Sequence, residues 1–545
     1  MKNIVARTIN KAVLAWGRGY LKDIEKSRTN ASEMQQRIFH RLIECGKQTA
    51  FGKEHDFNNI HSLSDFQSRV GISKYDDIAP YITRIRQGED YVLWNQKVKW
   101  FAKSSGTSSD KSKFIPITQD SLHETHFKGM KMMLMNYAAL NPDTRIFSTC
   151  ALTLGGSVTP TVTEHSSRLS NIFEGDLSAV MLANSPPAVE LLRTPSKKTS
   201  LIADFATKVE LICKESTRKN VSNFSGVPSW NLVLMNKILE YTGKNNIMEV
   251  WPKMELFMHG GISFEPYREI YRKLFPSANM HYLENYNASE GYFAFQDSLE
   301  GGNGMLITAN NGIFYEFIPF SKLNDALQGD NSCVVPLEDV KTDIDYAIVI
   351  STVGGLWRYM PEDLVRFTST VPYKLLVVGR TKMFINAFGE ELMINNAEKA
   401  LAAAASKAKL NITDFTVAPC FMGIGDKKSE QDGALTRGYH LWAIEFDNPL
   451  YNPYSSLFSQ RAVEEFAEIL DMEIQKVNSD YEAKRSPNST MQRLKIEPLA
   501  PGTFYKWMAS RGKTGGQNKV PRLWKDLEYI DQLTNINRLS KEKAQ

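Results

Sequence analysis

Between about residue 100 and residue 380 the chain alternates short β-rich runs, among them SCVVPL, YAIVIST and KLLVVG, with helix-like runs such as MLMNYAAL and PYREIYRKLF. Alternation of this kind feeds strands into a sheet and helices onto its faces, so the stretch predicts an α/β body with a mixed or parallel sheet. The flanks differ. The first hundred residues read mostly as helix, with apolar residues at helical spacing in RIFHRLIECGKQTAFG and Gly52 as the expected stop. After Gly379 a helix, NNAEKALAAAASKAKL, opens on an Asn cap. Strand-like TVAPCFM and YHLWAIEF follow, then a long helix around AVEEFAEILDMEIQKV and strand-like RLKIEPLA. The expected division is a large domain over residues 1–380 and a smaller α+β domain over 381–545.

A chain of 545 residues is too long for one ordinary core, which agrees with that division. Its charged fraction of 23% and aromatic fraction of 11% fit a folded soluble protein and argue against extended disorder. A formal charge of +4 over this length leaves no dense basic stripe, so nucleic acid is not an expected partner. Cys45, Cys150, Cys213, Cys333 and Cys420 are scattered, with no CxxC pair, and read as reduced thiols of a cytoplasmic protein. The first segment, MKNIVARTINKAVLAWGRGYLKD, mixes charge into each apolar run and predicts an amphipathic helix lying on the body rather than a leader or membrane anchor.

Four segments carry groups that could do chemistry. In FAKSSGTSSDKSKFIPIT, Ser104, Ser105, Gly106, Thr107 and Ser108 offer hydroxyls and free amides that can wrap phosphate oxygens, with Lys111 or Lys113 supplying charge. The spacing is not that of a Walker A loop, and taken alone the stretch also fits a Ser-rich surface turn. LFMHGGISFEPYREIY and HYLENYNASEGYFAFQ bring Gly260 and Gly261, which would let backbone approach a ligand. The second of these runs also places Tyr286, Ser289 and Glu290 within five residues, an aromatic face, a hydroxyl and a carboxylate suited to a nucleotide and its Mg²⁺. GLWRYMPEDLVRF places Asp363, with Arg358 near it in sequence, where it could accept ribose hydroxyls, and VVGRTKMFINAFGEEL falls where the domains should join. Singly, each of these acids also fits a strand-end ion pair. His123 and His126 miss the HExxH spacing of a zinc site and are expected on a surface helix face, while His259 lies close to a motif and is a candidate for a substrate pocket.

In this order and spacing the segments resemble the adenylate-forming superfamily, and within it the Gretchen Hagen family of acyl acid amido synthetases, first known from auxin responses in plants and also found in bacteria. The resemblance runs from TAFGKEHDF through SSGT, YNASEG, GLWRY and GRTKMFINAFGEEL to GGQNKVPR, the last two being closer to the bacterial branch. It implies a ligase that uses ATP and Mg²⁺ to adenylate a carboxylic acid and then passes the acyl group to an amine, an amino acid being expected. A thiol acceptor, as in an acyl-CoA ligase, is the alternative, and a non-catalytic nucleotide- or acid-binding relative is a second.

By matched position, Ser104 to Ser108 and Lys113 would form the phosphate loop, Tyr286 would lie against adenine, Ser289 near the α-phosphate, and Glu290 on Mg²⁺. Asp363 would hold the ribose, Arg380 and Lys382 would sit at the hinge of a mobile C-terminal domain, and Lys519 would reach the nucleotide. With no segment apolar enough to span a bilayer, a cytoplasmic monomer with no membrane partner is expected. Two residues depart from the family pattern, because Asp110 and Glu362 stand where glycine is usual.

Overall fold

The computed structural model describes residues 2–104, 113–156, 158–162, 171–202, 204–261, 264, 267–381, 384–421, 438–485, 491–511 and 520–542. The chain divides into two compact units, the first holding most of residues 1–381 and the second joining Ile262–Tyr271 to Lys382–Gln545. Among the described residues no helix is long and apolar enough to cross a membrane.

The first unit opens with helices Lys2–Trp16, Arg18–Thr29 and Ala31–Gly46. The amphipathic first helix docks through buried Ala6 and Asn10, whose amide donates to the carbonyls of Ala138 and Pro142. Gly52 is not the stop expected for the third helix, which ends at Gly46. Gly52 instead lies inside the next short helix, Ala50–Glu54, where a Cβ would strike the Gly46 carbonyl, so glycine is required there by a close crossing of two backbones.

Twelve strands of this unit form one mixed sheet, the α/β architecture expected from the alternation. It runs parallel from Arg193–Thr194 through Cys150–Thr153, Val221–Gly226 and Leu256–His259 to His281–Ala288. There it turns antiparallel and continues through Gly291–Phe295, Met305–Ile307, Tyr373–Arg380, Asp363–Thr370, Asp345–Thr352, Ile313–Pro319 and Val335–Pro336. Of the strand-like SCVVPL, only Val335–Pro336 pairs, and Asn331–Cys333 is a helical turn. A smaller sheet orders Lys113–Ile117, Trp100–Ser104, Asn171–Gly175 and Val158–Val162.

The core beneath the larger sheet is built around Trp357, which is 1% exposed and packs among Phe51, Phe57, Phe66 and Trp94. Its indole N–H donates to the Leu93 carbonyl at 3.0 Å. That anchor fixes the GLWRY segment and therefore the start of the strand at Asp363.

The second unit pairs Ile412–Phe421, Gly438–Phe446 and Lys495–Leu499 in a three-stranded sheet, with helices Ile394–Ala408 and Gln460–Val477 sharing its core. Its first helix starts at Ile394, so asparagine is not its N-cap. Asn396 acts from the third helical position, where its side-chain oxygen accepts from the Met393 N–H at 3.1 Å.

His126 corrects the surface expectation for the H-E-T-H pair. His123 is exposed, but His126 is fully buried, because the turn Ser121–His126 leads into the buried helix Phe127–Leu140. Burial drives the His126 pKa down to about 4. The folded state therefore holds it neutral while the unfolded chain takes up a proton near its ordinary value of 6.5. Its contribution is intact above that value and is lost as pH falls from 6.5 towards 4, about 2 kcal/mol of it by pH 5. Urea unfolding of the first unit at pH 7 and pH 5 should show this loss in the wild type, and His126→Gln should remove that part of the pH dependence.

Candidate active site

The SSGT segment leaves the sheet from a hairpin. Trp100–Ser104 pairs antiparallel with Lys113–Ile117 so that Ser104 and Lys113 are direct partners. Ser105, Gly106, Thr107, Ser108, Asp110 and Lys111 lie between them, outside the described residues. Lys113 is 5% exposed, and the next residue is pinned by the Phe114 N–H donating to the Tyr75 hydroxyl at 2.9 Å.

Tyr286, Ser289 and Glu290 come from the hairpin at which the large sheet turns from parallel to antiparallel. Strand His281–Ala288 carries Tyr286, and Ser289 and Glu290 form the two-residue turn before Gly291–Phe295. The turn stands at the carboxyl end of the last parallel strand, the end at which open α/β sheets bind their ligands. Asp363 and Arg380 are opposite partners on Asp363–Thr370 and Tyr373–Arg380.

These elements converge. The Tyr286 hydroxyl donates to Asp363 Oδ2 at 2.6 Å, and Arg380 Nε pairs with Asp363 Oδ1 at 2.8 Å. In sheet order the strands of Tyr286 and Asp363 stand four places apart. A flat sheet would hold them about 19 Å apart, so the large sheet is bent between them. Asp363 is 6% exposed, and a carboxylate has about four lone-pair positions, so acceptor capacity remains after these two partners. The strand-end ion pair and a ribose acceptor are thus compatible roles for one residue.

Charge is concentrated in a poorly hydrated place. Glu290 lies deep but keeps part of its surface open, and lost hydration pushes its pKa above the ordinary carboxylate range, with Lys113 opposing the rise. Burial, then the Asp363 carboxylate, push the Tyr286 phenol well up, so it stays a donor. Lys113 Nζ lies 3.5 Å from Glu362 Oε2. Tyr359 escaped the sequence reading. It is fully buried, and its pKa is raised first by burial and then by the charges of Glu290 and Glu362, so the phenol belongs to this cluster. Only its place two residues after Trp357 in the GLWRY segment could have suggested it.

Several candidates do other work. The Tyr286 ring is 7% exposed and packs on Phe293 at 4.6 Å between centroids, so its visible task is to hold Asp363. Arg358 is fully buried and pairs with Glu316 at 3.1 Å while donating to the Val70 carbonyl, so it braces the core and is not Asp363's partner. Gly260 allows close approach to the Asn285 carbonyl, which a Cβ would strike. His259 ends a buried strand, and its carbonyl accepts from the Asn285 amide. Lys382 and Lys519 lie outside the described residues.

Three family models match in chain order. The GH3 family N-terminal domain matches residues 20–280, the central domain 306–380 and the C-terminal domain 395–528, most of the chain together. The chain belongs to the GH3 family. Among GH3 relatives, it is 22% identical to the indole-3-acetic acid-amido synthetase GH3.4 of Arabidopsis thaliana, covering 92% of this chain and 91% of that one. It is 23% identical to the jasmonoyl–L-amino acid synthetase JAR4 of Nicotiana attenuata, over 73% and 78%. Its fold is like that of the GH3.15 acyl acid amido synthetase, with TM-score 0.56, 18% identity and 94% of each chain covered. It is also like that of a 2-hydroxyisobutyryl-CoA ligase, with TM-score 0.53, 12% identity and the same coverage.

In this GH3 chain, Tyr286→Phe takes one donor from a buried carboxylate and leaves the ring packing in place. We expect it to cost about 1–3 kcal/mol in urea unfolding. Asp363→Asn in the same background should recover part of that loss, since an amide needs less compensation than an ion.

Proposed function

We propose that the protein adenylates a carboxylic acid with ATP and conjugates the activated acyl group to an amino acid, with the work divided among the residues that converge on Asp363. The protein is a ligase of the acid–amino acid type. The observation that carries the assignment is the meeting of Lys113, Glu290 and Asp363, from three separated motifs of a GH3 chain, at the topological turn of its sheet.

Asp363 accepts the ribose hydroxyls with the acceptor capacity that Tyr286 and Arg380 leave open. Lys113 and the Ser104–Ser108 segment hold the β- and γ-phosphates, and Ser289 stands near the α-phosphate, with Tyr286 beside the adenine end. A carboxylate oxygen of the acid attacks the α-phosphorus, the bond to the bridging oxygen breaks, and pyrophosphate leaves with the electron pair. The amine nitrogen then attacks the acyl carbon, the carbon–oxygen bond to AMP breaks, and the nitrogen gives up a proton. The protein needs no nucleophile of its own, because the mixed anhydride reacts once its partners are aligned.

Glu290 suits Mg²⁺, which takes one or two protein carboxylates and keeps its other positions for water and phosphate. The charge balance agrees: with all groups ionised, Lys113 and Arg380 face Glu290, Glu362 and Asp363, so a polyphosphate needs further positive charge. When bound, Mg²⁺ would neutralise phosphate charge as the leaving group forms. Arg380 and Lys382 at a hinge, Lys519 as a lysine reaching the nucleotide, a mobile domain over residues 381–545, and a cytoplasmic monomer complete the proposal. The cysteines support that compartment, since Cys45, Cys150, Cys213, Cys333 and Cys420 are all unpaired.

The test is release of pyrophosphate from ATP and Mg²⁺ across a panel of carboxylic acids, with products identified by mass spectrometry after adding amino acids or CoA. We expect acid-dependent release and an amide product. A thioester would favour the acyl-CoA ligase alternative, and ATP binding without release would favour the non-catalytic one. Glu290→Gln should lower adenylation by at least about a hundredfold with the fold retained, and wild-type rates in that variant would remove Glu290 from the metal role.

A further inference from the structure

The Glu362 backbone adopts the left-handed conformation that glycine favours, at φ +72°. A side chain there costs about 1 kcal/mol or more. The side chain is nonetheless driven inward, and the residue is 2% exposed. Its carboxylate reaches Lys113, the Glu362 and Lys113 side chains being 3% and 7% exposed. The position is held from both sides. The Thr381 N–H donates to the Glu362 carbonyl at 2.8 Å, and the next residue, Asp363, is paired with Arg380.

A buried ammonium is costly unless an anion compensates it, and Glu362 supplies that anion from within the chain. At 3.5 Å the contact is an ion pair rather than a well-formed hydrogen bond, and a lysine has three donors, so Lys113 can still engage a second anion. A phosphate group meeting Lys113 must share it with Glu362 or displace it.

We propose that Glu362 is an internal counter-anion for Lys113 that competes with the phosphate groups for this lysine and so weakens the enzyme's hold on pyrophosphate, favouring its departure after adenylation. The exchange swaps one anion for another on the same ammonium, and no proton or covalent bond changes hands. Glu362 is therefore a positioning residue, acting through Lys113. The proposal rests on Lys113 being the phosphate lysine of the proposed function.

Sodium pyrophosphate binding to the full chain, measured by calorimetry, tests both ideas separately. Glu362→Gln and Glu362→Gly should each bind pyrophosphate roughly tenfold more tightly than wild type. The glycine variant suits the positive φ and guards against a misfolded result. Lys113→Met should weaken binding in the wild-type background and erase the gain when combined with Glu362→Gln, whereas Glu362→Asp, which keeps the charge, should stay near wild type. Unchanged or weaker binding in both neutral variants, with Lys113→Met still harmful, would overturn the counter-anion role and leave the phosphate role of Lys113 standing. No effect of Lys113→Met would overturn both.

Discussion

The site depends on one carboxylate. Asp363 accepts the Tyr286 hydroxyl and the Arg380 guanidinium, and these come from strands that a flat sheet would keep far apart. Closing that distance requires the large sheet to bend, which brings the turn bearing Glu290 towards Asp363, while Lys113 reaches the same place from a strand of the smaller sheet. The bond is short and buried, where electrostatics are strong and an unmatched charge is expensive. Substituting Asp363 would thus remove the geometric reason for the cluster as well as an acceptor.

The rest of the first unit supports this point indirectly. Trp357 sits in an aromatic core six residues before Asp363, and Arg358 ties the same segment to Glu316 and to the Val70 carbonyl. Two buried side chains of opposite character therefore fix the approach to the strand, one by packing and one by charge. That rigidity is what lets Glu362 hold an unfavourable φ with its carboxylate turned inward.

Much of this was legible in the sequence. Alternating runs indicated the α/β body, and strands such as Asp345–Thr352 and Tyr373–Arg380 fall where their β-rich composition places them. Local pattern failed where a distant contact decided the outcome. Gly52 looked like a helix stop because glycine usually is one, but its role is set by Gly46 passing close by. His126 looked like a surface residue because its neighbours are polar, and only the packing of the following helix buries it. At the site, the motifs pointed to Tyr286, Glu290 and Asp363 and the family resemblance added Lys113 and Arg380, but neither could reveal that Tyr286 serves Asp363 or that Tyr359 joins the cluster. Those facts are contacts between distant segments, which no single segment encodes.

The most direct test of the central claim is a crystal structure of the protein with Mg²⁺ and an ATP analogue carrying a methylene bridge between the α- and β-phosphates. The ribose hydroxyls should lie within hydrogen-bonding distance of the Asp363 carboxylate, with the terminal phosphates towards Lys113. A nucleotide bound elsewhere, with Asp363 engaged only by Tyr286 and Arg380, would contradict it.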